Sequence, residues 1–125
     1  MMTEEEIHAV HVAAYHDRRV PMPAHVSAAF ATAVPLARQA GASFVRGAVE
    51  VWAYAGRADE PSVTFFTDRP ILIYLNVGQP GMSAREWTRH VLHELAHAFF
   101  DSRQDIGYVQ REDRADRFAA RALEG

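Results

Sequence analysis

The chain has 125 residues, a formal net charge of −3, 49% hydrophobic and 23% charged residues, and no cysteine. That length supports one domain with a real core and no second one, and the charge leaves no basic footprint for nucleic acid or an anionic membrane. Without thiols, disulfides and thiolate ligands are excluded, and His and carboxylate are the strong metal donors that remain. All 13 basic residues are Arg, so lysine chemistry is closed to it. The first residues, Met1 to Glu6, are acidic and carry no apolar h-region. No run of 18 apolar residues occurs, so the expectation is a cytoplasmic protein with no membrane span.

In chain order, Thr3 and Glu6 have capping-box spacing and open a helix to about Arg19, with Ile7, Val10, His11 and Ala14 expected inward. Pro21 and Pro23 end it. A second helical stretch runs from Ala24 to Gln39, expected to break or kink at Pro35, with Gly41 as its stop. Three β-type runs follow, Ser43–Ala53, Ser62–Thr67 and Pro70–Val77, separated by turn-rich Gly56–Pro61 and Asp68–Pro70. Turns this short favour antiparallel pairing. Ser83 and Glu86 form another capping box, after which Trp87, Val91, Leu92, Leu95, Ala96, Ala98 and Phe99 recur with a helical period. After the turn-like Gln104–Gly107, Arg111 to Leu123 reads as a last helix, with Asp113, Arg117, Arg121 and Glu124 on a solvated face. The expected fold is α+β, with helices on one face of a small three-stranded twisted sheet.

The third of these helices carries the chemistry. His93 and His97 stand at i and i+4, so their imidazoles share one face and can close on one ion. Glu94 lies about 100° around the helix, where a general base for an attacking water stands without being a ligand. A hydrolytic zinc takes three protein ligands and keeps one position open. One class places the third ligand six residues after the second His, behind a Gly at the midpoint; here those positions are Arg103 and Phe100, which excludes it. The other common solution is a Glu on a later helix. Glu112 and Asp116 share the inner face of the last helix with Ala115, Ala119, Ala122 and Leu123. Glu112 is the expected third ligand, and Asp116 is placed to accept the second N–H of a ligand histidine. The competing reading pairs both acids with Arg111, Arg114 or the Arg89 region. Asp101 and Asp105 are weaker ligand candidates. His90 can line the site, and Tyr108, expected in the connection between the two metal helices, is a candidate oxyanion donor. His8 and His11 at i, i+3 lack an acid in register and read as helix surface.

His93-Glu94-Leu95-Ala96-His97, followed by Glu112, Ala115, Asp116, Phe118, Ala119, Ala120 and Leu123, resembles the ImmA/IrrE family of metallopeptidases and gluzincins more broadly. The β-type run Ile71–Asn76 before the active helix fits as well. The resemblance spans roughly residues 70–124. It implies a zincin-like metallopeptidase domain and a Zn2+ site of His93, His97 and Glu112. It further implies Glu94 as general base, Asp116 behind the ligands, and a peptide or protein substrate, in such relatives a repressor. No helix-turn-helix follows the last helix, so a stripped-down gluzincin, or minigluzincin, describes the pattern equally well.

The mechanism expected is peptide hydrolysis, with the substrate extended along a sheet edge, for which the Ile71–Asn76 strand is the candidate. The rival is a catalytically inactive module that a structural zinc holds together and that binds or regulates a partner. Hydrolysis of an amide in a small molecule is a third option that the residues do not separate from the first.

Overall fold

The computed structural model describes residues 1–42, 48–66, 70–100 and 107–124. Among them are four helices and four strands in an α+β arrangement: α1 (Glu4–Asp17), β1 (Arg19–Val20), α2 (Ala24–Gln39), β2 (Val49–Tyr54), β3 (Val63–Phe66), β4 (Ile71–Asn76), α3 (Ala84–Phe100) and α4 (Tyr108–Glu124). The sheet order is β1-β2-β4-β3.

The sheet departs from expectation in three ways. It has four strands, because the chain leaving α1 pairs Arg19 and Val20 antiparallel to Tyr54 and Ala53 before the prolines turn it away. It is mixed: β2 and β4 are parallel in register Val51↔Ile73 and Ala53↔Leu75, while β3 is antiparallel to β4. The short turns do reverse the chain, but β3 folds back on the far side of β4 and leaves β2 and β4 running the same way. As a result β4 is interior, and β3 is the edge; Ile71–Asn76 cannot offer a free edge to a peptide.

Helices also cover both faces of the sheet. Val51, Ile73 and Leu75 point to one face and join Val26, Ala33, Val91, Leu92, Leu95, Ala119 and Phe118 in the main core, under α2, α3 and α4. On the opposite phase stand Trp52, Tyr54, Phe65 and Tyr74, too much aromatic surface to leave in water. α1 packs there. Tyr15 meets Tyr54 with ring centroids 5.1 Å apart, His16 meets Trp52 at 5.1 Å, and His16 Nδ1 lies 2.8 Å from the Tyr74 hydroxyl. This turns α1 away from its expected orientation. His8, Val12, Tyr15 and His16 are partly buried, while Ile7 and Val10 are exposed. Aromatic contact outweighs the aliphatic stripe. The helix also ends at Asp17, short of Arg19, whose backbone is taken by β1.

α2 runs unbroken through Pro35. Pro35 and Ala31, whose carbonyl loses its N–H partner, both lie on the solvent side, where water can replace the bond. Ala29, Ala33 and Ala37 pack inward. Gly41, at φ 100°, stops the helix in a Schellman turn: Gly41 N donates to Arg38 O at 3.0 Å and Ala42 N to Ala37 O at 2.9 Å. The capping box of α3 is closed in both directions, Glu86 N to Ser83 Oγ at 3.1 Å and Ser83 N to Glu86 Oε1 at 3.4 Å. The inner face of α4 is Ala115, Ala119 and Ala122, short side chains that let it lie close against α3.

Candidate metal centre

Three donors converge between α3 and α4. One helical turn separates His93 from His97, and their Nε2 atoms are 3.0 Å apart. α4 runs back along α3 and delivers Glu112, with Oε2 3.0 Å from His93 Nε2 and Oε1 3.1 Å from His97 Nε2. All three offer one ligand atom to a common point.

The donor chemistry fits a divalent cation. His93 Nδ1 lies 2.9 Å from Asp116 Oδ1. An ionised carboxylate can only accept, so Nδ1 carries the hydrogen, and in the neutral ring Nε2 then presents its lone pair to the cluster. A lone pair and a carboxylate oxygen at 3.0 Å repel unless a cation or a proton lies between them. The two Nε2 atoms are 3.0 Å apart and each has one Glu112 oxygen at 3.0–3.1 Å, close enough for both rings and the carboxylate to reach one ion with bonds of about 2.0–2.2 Å.

Glu94 sits beside this cluster and outside it. It is turned toward β3, only 5% exposed, and its Oε2 accepts a hydrogen bond from Thr64 Oγ1 at 2.9 Å. Burial raises its pKa above the ordinary carboxylate range, against the pull of the Thr64 hydrogen bond and of the neighbouring His97 and His93. A carboxylate held this way is ready to take up a proton. One turn earlier, His90 Nε2 is 2.7 Å from Ser62 Oγ, which in turn accepts from the backbone N–H of Asn76 at 2.8 Å. Burial, followed by the neighbouring His93, lowers His90 to about 4, so it is neutral at pH 7.

These groups line one open cleft of about 790 Å³, walled by β3 on one side and the start of α4 on the other. Phe66 and Met82 supply apolar surface, and Arg89 and Arg111 supply positive charge. Tyr108 also lines the cleft. It is not in a connection: it is the first residue of α4, and at 68% exposed it stands at the rim.

No family model matches this chain, and no curated protein or solved structure does either. The site therefore has to be read from its own geometry.

That geometry brings His93, His97 and Glu112 together, puts Glu94 next to them, and sets Asp116 behind His93. Glu112 and Asp116 each meet the imidazole of His93. His8 and His11 lie on α1, across the sheet from the site; His8 packs edge-on to Phe65 and His11 is exposed. Asp101 and Asp105 lie outside the described residues. Sequence reasoning missed Ser62 and Thr64. Their signal was present, two hydroxyls at i and i+2 on a strand phase that otherwise faces an apolar core. Among the described residues no helix is long and apolar enough to cross a membrane.

Proposed function

We propose that this chain is a zinc-dependent peptidase with a two-His, one-Glu site, a zincin-like domain of the ImmA/IrrE or minigluzincin type. One observation carries the reading. Two imidazole nitrogens and a carboxylate converge at 3.0–3.1 Å in an open cleft, and a second, buried carboxylate that is not part of the trio stands beside them. A structural site would be closed by four protein ligands, and among the described residues the group has three.

His93, His97 and Glu112 would hold the ion. Bound there, it would supply Lewis acidity and make a water nucleophilic near pH 7. Glu94 takes a proton from the attacking water and returns it to the leaving amine, a transfer eased by the burial that raises its pKa. Asp116 fixes the tautomer and ring orientation of His93. Tyr108 at the rim can donate to the carbonyl oxygen as negative charge grows on it. β3, the free edge beside Glu94, is the surface along which an extended peptide would lie, its main chain pairing with the strand.

The test is Glu94→Gln, with metal content and cleavage of a quenched peptide library measured beside wild type. The expected result is full metal content and at least about a hundredfold loss of cleavage. Cleavage at the wild-type rate would remove Glu94 from the mechanism. A metal-replete wild type that cleaves nothing would favour the rival, a zinc-held binding module.

A further inference from the structure

We infer that Thr64 is the positioning residue for Glu94: its hydroxyl holds one carboxylate oxygen and leaves the other free to handle the proton. The catalytic consequence rests on the peptidase reading; the geometry does not.

Among the described residues β3 is an edge strand, supported in the sheet by β4 alone. Its helix-facing phase carries hydroxyls at Ser62 and Thr64, where a strand over an apolar core ordinarily carries Val or Ile. Each hydroxyl meets a cleft residue on α3, Ser62 with His90 at 2.7 Å and Thr64 with Glu94 at 2.9 Å. The two periods match. Two residues of strand advance about 6.7 Å and four residues of helix about 6.0 Å, so an i, i+2 pair can bond an i, i+4 pair without strain. The two bonds together fix the register of the edge strand against the helix that bears the site.

Direction follows from donor chemistry. An ionised carboxylate only accepts, so Thr64 donates. Its β-branched side chain has few χ1 wells in a strand, which presets Oγ1. Among the described residues, Thr64 is the one hydrogen-bond partner of the Glu94 carboxylate. With Oε2 occupied, Oε1 is left for the water. Proton transfer needs heavy atoms within about 2.6–3.2 Å, a range that a freely rotating carboxylate in an open cleft seldom holds.

Thr64→Val keeps the shape and removes the donor, and Thr64→Ser restores the donor. In the metal-loaded enzyme, Val should lower kcat about tenfold with KM within about twofold, and Ser should recover most of the loss. In the metal-free protein, the carbon-13 resonance of the Glu94 carboxyl should move in the Val variant and return in the Ser variant. If the Val variant does not fold, Thr64→Ala, which sets no methyl group against the carboxylate, is read in the same way. An unmoved resonance, or a moved one with unchanged kcat, overturns the proposal. A wild type inert on every peptide counts against the peptidase reading instead, and the resonance then decides the role of Thr64 by itself.

Discussion

Two polar clusters lie inside this small domain, and they follow opposite rules. Around Asn76, which is fully buried, donors and acceptors balance. Oδ1 accepts from the N–H groups of Gly56 at 3.0 Å and Gly78 at 2.9 Å, and Nδ2 donates to the carbonyls of Arg57 at 2.7 Å and Glu60 at 2.9 Å. The amide uses its full capacity. A Cβ on Gly78 would collide with the Gly56 carbonyl oxygen, so the loop closes on Asn76 only with glycine there. Around His93, His97 and Glu112, two imidazole nitrogens and a carboxylate crowd together at 3.0–3.1 Å. The first cluster finishes its own hydrogen bonding and is structural. The second gathers ligand-type atoms of three residues in an open cleft, and that makes it a candidate for function.

The comparison breaks most visibly at His97. Its replacement by Ala removes one of three donors, so stoichiometric zinc uptake should be lost, as read by calorimetric titration and metal analysis. The metal-free protein should stay folded, its Tm lowered modestly by the loss of one buried ring. Retained stoichiometric uptake would mean that the trio is not the binding site. Asn76→Ala should do the reverse. It strands two N–H groups and two carbonyls in the interior, at a cost of about 3 kcal/mol and a fall in Tm of about 10 °C. Zinc uptake at low temperature should remain one per chain. A variant that loses metal and keeps its stability would show that the two clusters are not separable.

The same contrast explains what could be read from residues alone. The convergence of His93, His97 and Glu112 was legible because each member is set by a local rule, i, i+4 on one helix for His93 and His97 and an inward acid on an amphipathic helix for Glu112. The caps of α3 and the stop at Gly41 were legible for that reason too. Asn76, Ser62 and Thr64 were not, because apart from Gly78 their partners lie 14 to 30 residues away and depend on which strands are neighbours. The strand order itself was misjudged. Turn length tells that the chain reverses but not on which side of β4 the returning strand lies. α1 was turned the wrong way because periodicity ranks Ile7 and Val10 above Tyr15 and His16, whereas the aromatic face of the sheet prefers rings.

A weaker perturbation acts from behind the candidate metal site. Asp116 is 64% exposed at its side chain, so Asp116→Ala should leave folding stability nearly unchanged. It does free the His93 ring to rotate and to take the other tautomer. Zinc affinity should fall about tenfold or somewhat more, as measured by competition with a chelating dye. Asp116→Asn can still accept at Oδ1 and should lose less. Equal affinity in wild type and Asp116→Ala would mean that His93 is oriented by helix packing alone.

The smallest effect lies at the rim of the Asn76 cluster and is set by pH. Arg18 binds Glu60 with two hydrogen bonds, at 3.0 and 2.8 Å, and together with the Arg57 N–H holds its carboxyl down at about 2, from an ordinary value of 4.5. As pH falls below 4.5 the unfolded chain takes up this proton first, and the folded protein follows only near 2. The contribution is therefore complete above pH 4.5, declines through the window, and is gone near pH 2. Both groups reach water, so salt should weaken the effect. Urea midpoints for metal-free wild type and Arg18→Gln, taken in steps from pH 6 to pH 2, should differ by a small constant amount at the upper end and converge at the lower. Divergence on acidification would show that the pair ties α1 to the loop through packing of the Arg18 side chain over Tyr15 and Tyr54, 5.8 and 5.0 Å from its guanidinium, and not through charge.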